Sequence, residues 1–142
     1  MTLTGFNFAG ILVAFGFSFV SGAIWFGPKT FYPIWMKERG ISSGQLDSNQ
    51  NKPVLLFGGT ILGVLIQTLT LGLIINSLQQ AGAEIGISDG AGIGLALGLG
   101  VGAFASLSHR LFGGENFKVW IIETANDVLN LTVAGAIIAF FN

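Results

Sequence analysis

Apolar residues in this chain gather into four long runs, from about Phe6 to Phe26, Pro53 to Leu78, Ile85 to Ser108 and Phe117 to Phe141. A helix rising about 1.5 Å per residue needs roughly 20 residues to cross a hydrocarbon core of about 30 Å, and each run has that reach. Their ends carry local stop and start signals. Gly27-Pro28 closes the first run, Pro53 opens the second after Asn51 and Lys52, and His109-Arg110 follows the third. The pattern predicts an all-α polytopic membrane protein. It is a four-transmembrane-helix bundle forming one integral membrane domain over residues 1–142, with helices at about 6–26, 53–78, 85–108 and 117–141.

The segment 28–52 is the one long stretch between spans, and its halves differ. Phe31, Tyr32, Ile34, Trp35 and Met36, flanked by Lys29 and Lys37, suit the headgroup level, where an amphipathic ring keeps one edge apolar and one wet. Trp25, Phe31, Tyr32 and Trp35 are therefore expected to act as interfacial anchors. Gly40 to Asn51 is polar and reads as a solvated connector. Lys29, Lys37, Arg39 and Lys52 lie between the first two spans and Arg110 and Lys118 between the last two, whereas Gln79 to Ala83 carries no basic residue. Positively charged short loops stay in the cytoplasm, so the expected topology is N-out and C-out.

Composition agrees with the pattern. Hydrophobic residues make up 51% of the 142 positions and charged residues 9%, against about 25% charged in soluble domains. The mean hydropathy is +0.74. A net charge of −1 supplies no basic field to hold a nucleic acid. The absence of Cys removes disulfides, thiolate metal sites and thioester or thioether lipid anchors. Met1 to Gly10 carries no Lys or Arg ahead of the first run, so a cleaved signal peptide is not expected.

Two helices carry unusual residues. On the third, Gly86, Gly90, Gly94, Gly98, Gly102 and Ser106 recur every fourth position, a stripe of small side chains that lets another backbone approach closely in lipid. The occupant is either a neighbouring helix of the same chain or an identical stripe in a homo-oligomer. On the fourth, Glu123, Asn126, Asp127 and Asn130 share one arc, with Ile121, Val128 and Leu131 on other faces. Taking Lys118 as the interface, Glu123 lies about 7 Å deep, Asp127 about 13 Å and Asn130 about 18 Å. An ionisable group near the bilayer centre costs roughly 2.5 to 3.5 kcal/mol on insertion scales, and such groups mark ion or proton pathways.

Asn126 and Asn130 suit interhelical hydrogen bonding at about 0.6 kcal/mol each. Glu123 and Asp127, two like charges one turn apart in low dielectric, resist ionising together, which suits a proton relay. His109 and Arg110 are the nearest candidate counter-charges, although Arg110 equally suits a topology signal snorkelling to headgroups. Gln67, Thr68, Thr70, Asn76 and Asn7 would extend a polar path. No ligand spacing points to a metal or cofactor, and no nucleophile elbow or phosphate loop points to an enzyme.

Gly22-Ala23-Ile24-Trp25-Phe26-Gly27-Pro28, followed by Phe31 and Trp35-Met36-Lys37, with Asn7 ahead of the helix, resembles the opening of a small prokaryotic membrane family, domain of unknown function 1761. Phe26 and Tyr32 stand where that pattern has Tyr and Gly. The resemblance implies the four-helix layout in a prokaryotic inner membrane, with no activity attached. The functional expectation is a homo-oligomeric proton or small-ion pathway or sensor. Its alternatives are an accessory subunit docking on a membrane complex through the glycine stripe, and a lipid-binding role centred on Phe31 to Trp35.

Overall fold

The computed structural model describes residues 5–41 and 53–142, so most of the polar connector lies outside the described residues. Among the described residues five helices follow one another: α1 (Phe8–Trp25), α2 (Tyr32–Arg39), α3 (Pro53–Gln80), α4 (Ile87–Phe112) and α5 (Phe117–Phe141). Four of them, α1, α3, α4 and α5, contain stretches long and apolar enough to cross a membrane. Large apolar side chains such as Leu12, Phe57 and Val101 are well over half exposed, as expected of a surface whose solvent is lipid. The short α2 occupies the aromatic half of the 28–52 segment.

The helix ends are built from local chemistry. Asn7 Oδ1 accepts from the N–H groups of Ala9 and Gly10 at 3.0 and 3.2 Å, capping α1, while its Nδ2 donates to the Phe141 carbonyl at the far end of α5. The first and last spans are thereby tied at the terminal side. Beyond α1, the Thr30 hydroxyl accepts from Gly27 N–H at 3.1 Å and closes on the Trp25 carbonyl at 2.8 Å. Asn116 Oδ1 caps α5 at Lys118 N–H, 3.0 Å away. Gly40 ends α2 at φ +66°, a left-handed conformation that glycine adopts without penalty.

Helix α5 is the hub: α1, α2, α3 and α4 all pack against it, α4 most extensively. The reason is the close approach that small residues permit. Gly90, Gly94 and Gly98 are buried. A Cβ on Gly94 would collide with the Leu131 carbonyl and one on Gly90 with the Gly135 carbonyl. Gly135 in turn presses on the Gly90 carbonyl, and a Cβ on Gly98 would sit 2.9 Å from Val128 Cα. Of the two occupants the stripe allows, these three glycines face a neighbour in the same chain.

The expected six-residue stripe is not continuous, and here the structure corrects the sequence reading. Residues Leu97–Ala103 form a π-helical segment within α4. A π turn inserts an extra residue relative to the α-helix, so the inward position after Gly98 moves from 102 to 103. Accordingly Ala103 is buried and Gly102 exposed. The Ala103 carbonyl accepts from Trp120 Nε1 at 3.2 Å and from the Ser106 hydroxyl at 2.7 Å. Ser106 Oγ in turn accepts from Trp120 Nε1 at 3.1 Å, so the stripe's last member does meet α5. Gly86 lies before α4, its N–H donating to Asp89 Oδ2 at 2.9 Å in a cap of the first turn.

The tight core, formed by Phe6, Ile11, Ala14, Leu71, Ile75, Ala134 and Ile138, lies at the terminal side between α1, α3 and α5. Toward the α2 side the packing opens. Residues 57–63 of α3 are all exposed, and a Cβ on Gly58, Gly59 or Gly63 would meet nothing within 4 Å. The first half of α3 therefore stands away from α5, and that divergence makes the candidate site.

Candidate functional site

The four polar residues of α5 have unlike surroundings. Glu123 is pinned: its Oε1 accepts from Trp35 Nε1 at 2.8 Å, and its Oε2 lies 2.7 Å from Arg110 Nη2. The second contact is an ion pair without hydrogen-bond alignment. Arg110 also pairs with Glu115 through Nη1, so one guanidinium holds two carboxylates where α4 turns into α5. Of the two predicted counter-charges, Arg110 meets Glu123, while His109 is exposed and makes no ion pair among the described residues.

Asp127, one turn further along α5, makes no ion pair and accepts no hydrogen bond among the described residues. Its side chain is exposed and lines a cavity of about 400 Å³ that lies between α1, α3 and α5 and is open on one side. Asn126 and Asn130 also line this cavity. Both are buried, and the side-chain oxygen of each lacks a hydrogen-bond partner. A buried amide oxygen without a donor costs about 1 to 3 kcal/mol, and neither oxygen has surface open to the cavity. Ser18, Phe19, Gly22 and Phe26 of α1 and Phe57, Thr60, Gln67 and Thr68 of α3 complete the wall.

Gln67 and Thr68 of the expected polar path thus reach the cavity, with Thr68 nearly fully buried and its hydroxyl donating to the Val64 carbonyl at 2.7 Å. Thr70 is exposed and outside it, and Asn7 and Asn76 lie beside other groups at the terminal side. The contributions of Phe19, Phe26 and Phe57 had no signal in sequence beyond being apolar.

The aromatic anchors also make contacts within the protein. Two indole N–H groups point at α5: Trp25 Nε1 donates to the Ile122 carbonyl at 3.0 Å, and Trp35 Nε1 to Glu123. Phe31 stacks on Trp25 with ring centroids 4.3 Å apart, and Tyr32 on Trp35 at 6.0 Å. The Arg39 guanidinium stands 5.0 Å from the centre of the Trp35 ring. Glu38 completes the docking of α2, accepting from Asn116 Nδ2 at 2.6 Å and pairing with Lys118 Nζ at 3.2 Å. Nothing in sequence alone linked Glu38 or Trp35 to α5, which lies some 80 residues away.

A close-packed polytopic chain opening on Trp25, Gly27-Pro28 and Trp35 has its counterpart in one known family. The family model described as "Protein of unknown function (DUF1761)" matches residues 9–139. The chain belongs to this family. The match runs from the second residue of α1 almost to the end of α5, so it takes in every residue of the cavity and of the Trp35–Glu123–Arg110 cluster. No curated protein and no solved structure matches the chain. The chemistry of the DUF1761 site therefore rests on its side chains.

Proposed function

We propose that this integral membrane protein binds and moves a proton or a small cation, with Asp127 as the carrier carboxylate. The observation that supports this reading is the contrast between two carboxylates one helical turn apart. Glu123 is neutralised by Arg110 and held by Trp35, whereas Asp127 lines a cavity and makes no direct ion pair, with Arg110 acting on it only at a distance. A carboxylate so placed is costly unless a cation or proton accompanies it. Glu123 and Arg110 then form a fixed ion pair one turn from the carrier carboxylate. On the positive-inside rule the α2 side of the bundle faces the cytoplasm.

Four helices leave little room for a private route across the bilayer, so an assembly of several copies is part of the proposal. Its interface lies on faces other than the one through which Gly90, Gly94 and Gly98 meet α5. The test is reconstitution in liposomes with a trapped pH indicator and an imposed gradient of protons, sodium or potassium. The expected outcome is a flux that Asp127→Asn abolishes. Flux equal in the wild type and in Asp127→Asn would exclude the proposal.

A further inference from the structure

We infer that the cavity at Asp127 receives an organic ammonium ion, an apolar body bearing a positively charged amine, rather than a bare metal ion or a proton alone. This inference names the substrate class of the site proposed above and rests on that reading. Size is the first argument. Liquid water occupies about 30 Å³ per molecule, so a cavity of about 400 Å³ has room on the order of ten waters. Proton transfer and a dehydrated alkali ion require far less.

The distribution of polar atoms is the second argument. A hard cation needs six or more oxygens converging from several directions. Here the lining is mostly apolar: Asp127 is its one carboxylate, the hydroxyls and amides of Ser18, Thr60, Gln67, Thr68, Asn126 and Asn130 are spread over three helices, and Phe19 and Phe26 of α1 with Phe57 of α3 give it an aromatic side. The wall thus offers two features, a carboxylate and an aromatic side, and an ammonium group fits the first, its charge meeting Asp127. Its apolar body fits the second, where aromatic faces also attract a cation. No covalent step is involved.

The third argument is access. Because residues 57–63 of α3 are exposed, the cavity lies beside an open flank rather than in a closed core. The ammonium could belong to a free amine or to the ethanolamine headgroup of a phospholipid, and the chemistry recognised is the same.

The experiment uses the full chain purified in dodecyl maltoside, a detergent without an ammonium group, and titrates it calorimetrically with 2-phenylethylammonium and with the neutral 2-phenylethanol. The expected result is saturable binding of the amine and none of the alcohol. Affinity should fall about tenfold or more in Asp127→Asn, as for loss of a charge-assisted hydrogen bond. It should fall severalfold in Phe57→Ala, a substitution at an exposed position that leaves the fold intact. Added phosphatidylethanolamine that displaces the probe identifies the lipid headgroup as the source; no displacement identifies a free amine.

Equal binding of the alcohol, unchanged affinity in Asp127→Asn, or displacement of the amine by excess sodium chloride would each overturn the inference. The two levels separate cleanly. Asp127-dependent proton flux in liposomes without amine binding overturns the ammonium class and leaves the carrier reading standing. Amine binding without any flux overturns the carrier reading and leaves the binding site.

Discussion

The indole of Trp35 donates to Glu123 Oε1 at 2.8 Å, joining α2 to α5 across 88 positions of sequence. The contact gives a short helix a defined seat. It also leaves the carboxylate only one turn from Asp127, so the rigidity of the first acid frames the freedom of the second. Replacing Trp35 by Phe keeps the ring and deletes the donor. The expected cost is about 1 kcal/mol, read as a lower melting temperature in detergent, with α2 more readily cut by protease than in the wild type.

Arg110 faces two carboxylates, and its removal should be felt more strongly. In Arg110→Gln, Glu123 stays largely buried without its cation, and the loss should approach about 2 kcal/mol, below the 3 to 5 typical of fully buried pairs because Arg110 is a third exposed. The double variant Arg110→Gln/Glu123→Gln should recover most of that loss, since both charges are then gone. Thermal melting of the wild type, Arg110→Gln, Glu123→Gln and the double variant in one detergent checks the cycle. Additive losses would show that the pair does not interact.

Asp127 should behave in the opposite sense. Because it holds no partner, Asp127→Asn removes a charge from the span without stranding another, and the melting temperature should stay the same or rise. A clear drop in Asp127→Asn would reveal a structural role for this carboxylate.

The glycines of α4 divide into two classes that substitution can tell apart. Gly94→Ala places a Cβ against the Leu131 carbonyl, so α4 and α5 must separate, at a cost of about 2 kcal/mol or more. At Gly92 and Gly100 a Cβ meets nothing within 4 Å. There alanine should be neutral or stabilising by about 0.5 to 1 kcal/mol through its better helix propensity. Melting in detergent distinguishes them, and equal effects at positions 92 and 94 would argue against the packing described.

The π-helical segment should depend on Trp120. In Trp120→Phe the Ala103 carbonyl loses its donor from α5, and amide hydrogen exchange over residues 97–103 should accelerate about tenfold, corresponding to a local loss near 1.4 kcal/mol. Unchanged exchange there would mean that Ser106 alone holds the turn.

The sequence by itself determined the four spans, the stop of the first at Gly27-Pro28 and the polar arc of α5, whereas the stop expected at His109-Arg110 falls short of the end of α4 at Phe112. Helix length, hydropathy and periodicity are properties of contiguous residues, and the bilayer thickness converts them directly into architecture. It also marked Gly86, Gly90, Gly94, Gly98, Gly102 and Ser106 as a stripe that another backbone would approach, of which Gly90, Gly94 and Gly98 are so placed. It left open which backbone, because a small-residue stripe is equally complementary to a helix of its own chain or of another.

Tertiary structure alone decided that α5 is the occupant, that a π turn exchanges Gly102 for Ala103, and that Arg110 and Trp35 converge on Glu123 while Asp127 stays unpaired. Those outcomes depend on how helices are rotated and spaced, which is set by contacts between residues far apart in the chain. The cavity follows from the same cause. Its floor of Asn126, Asp127 and Asn130 was legible as a helical face, but its volume exists only because α3 packs tightly at Leu71 and Ile75 and diverges from α5 at Phe57 to Gly63.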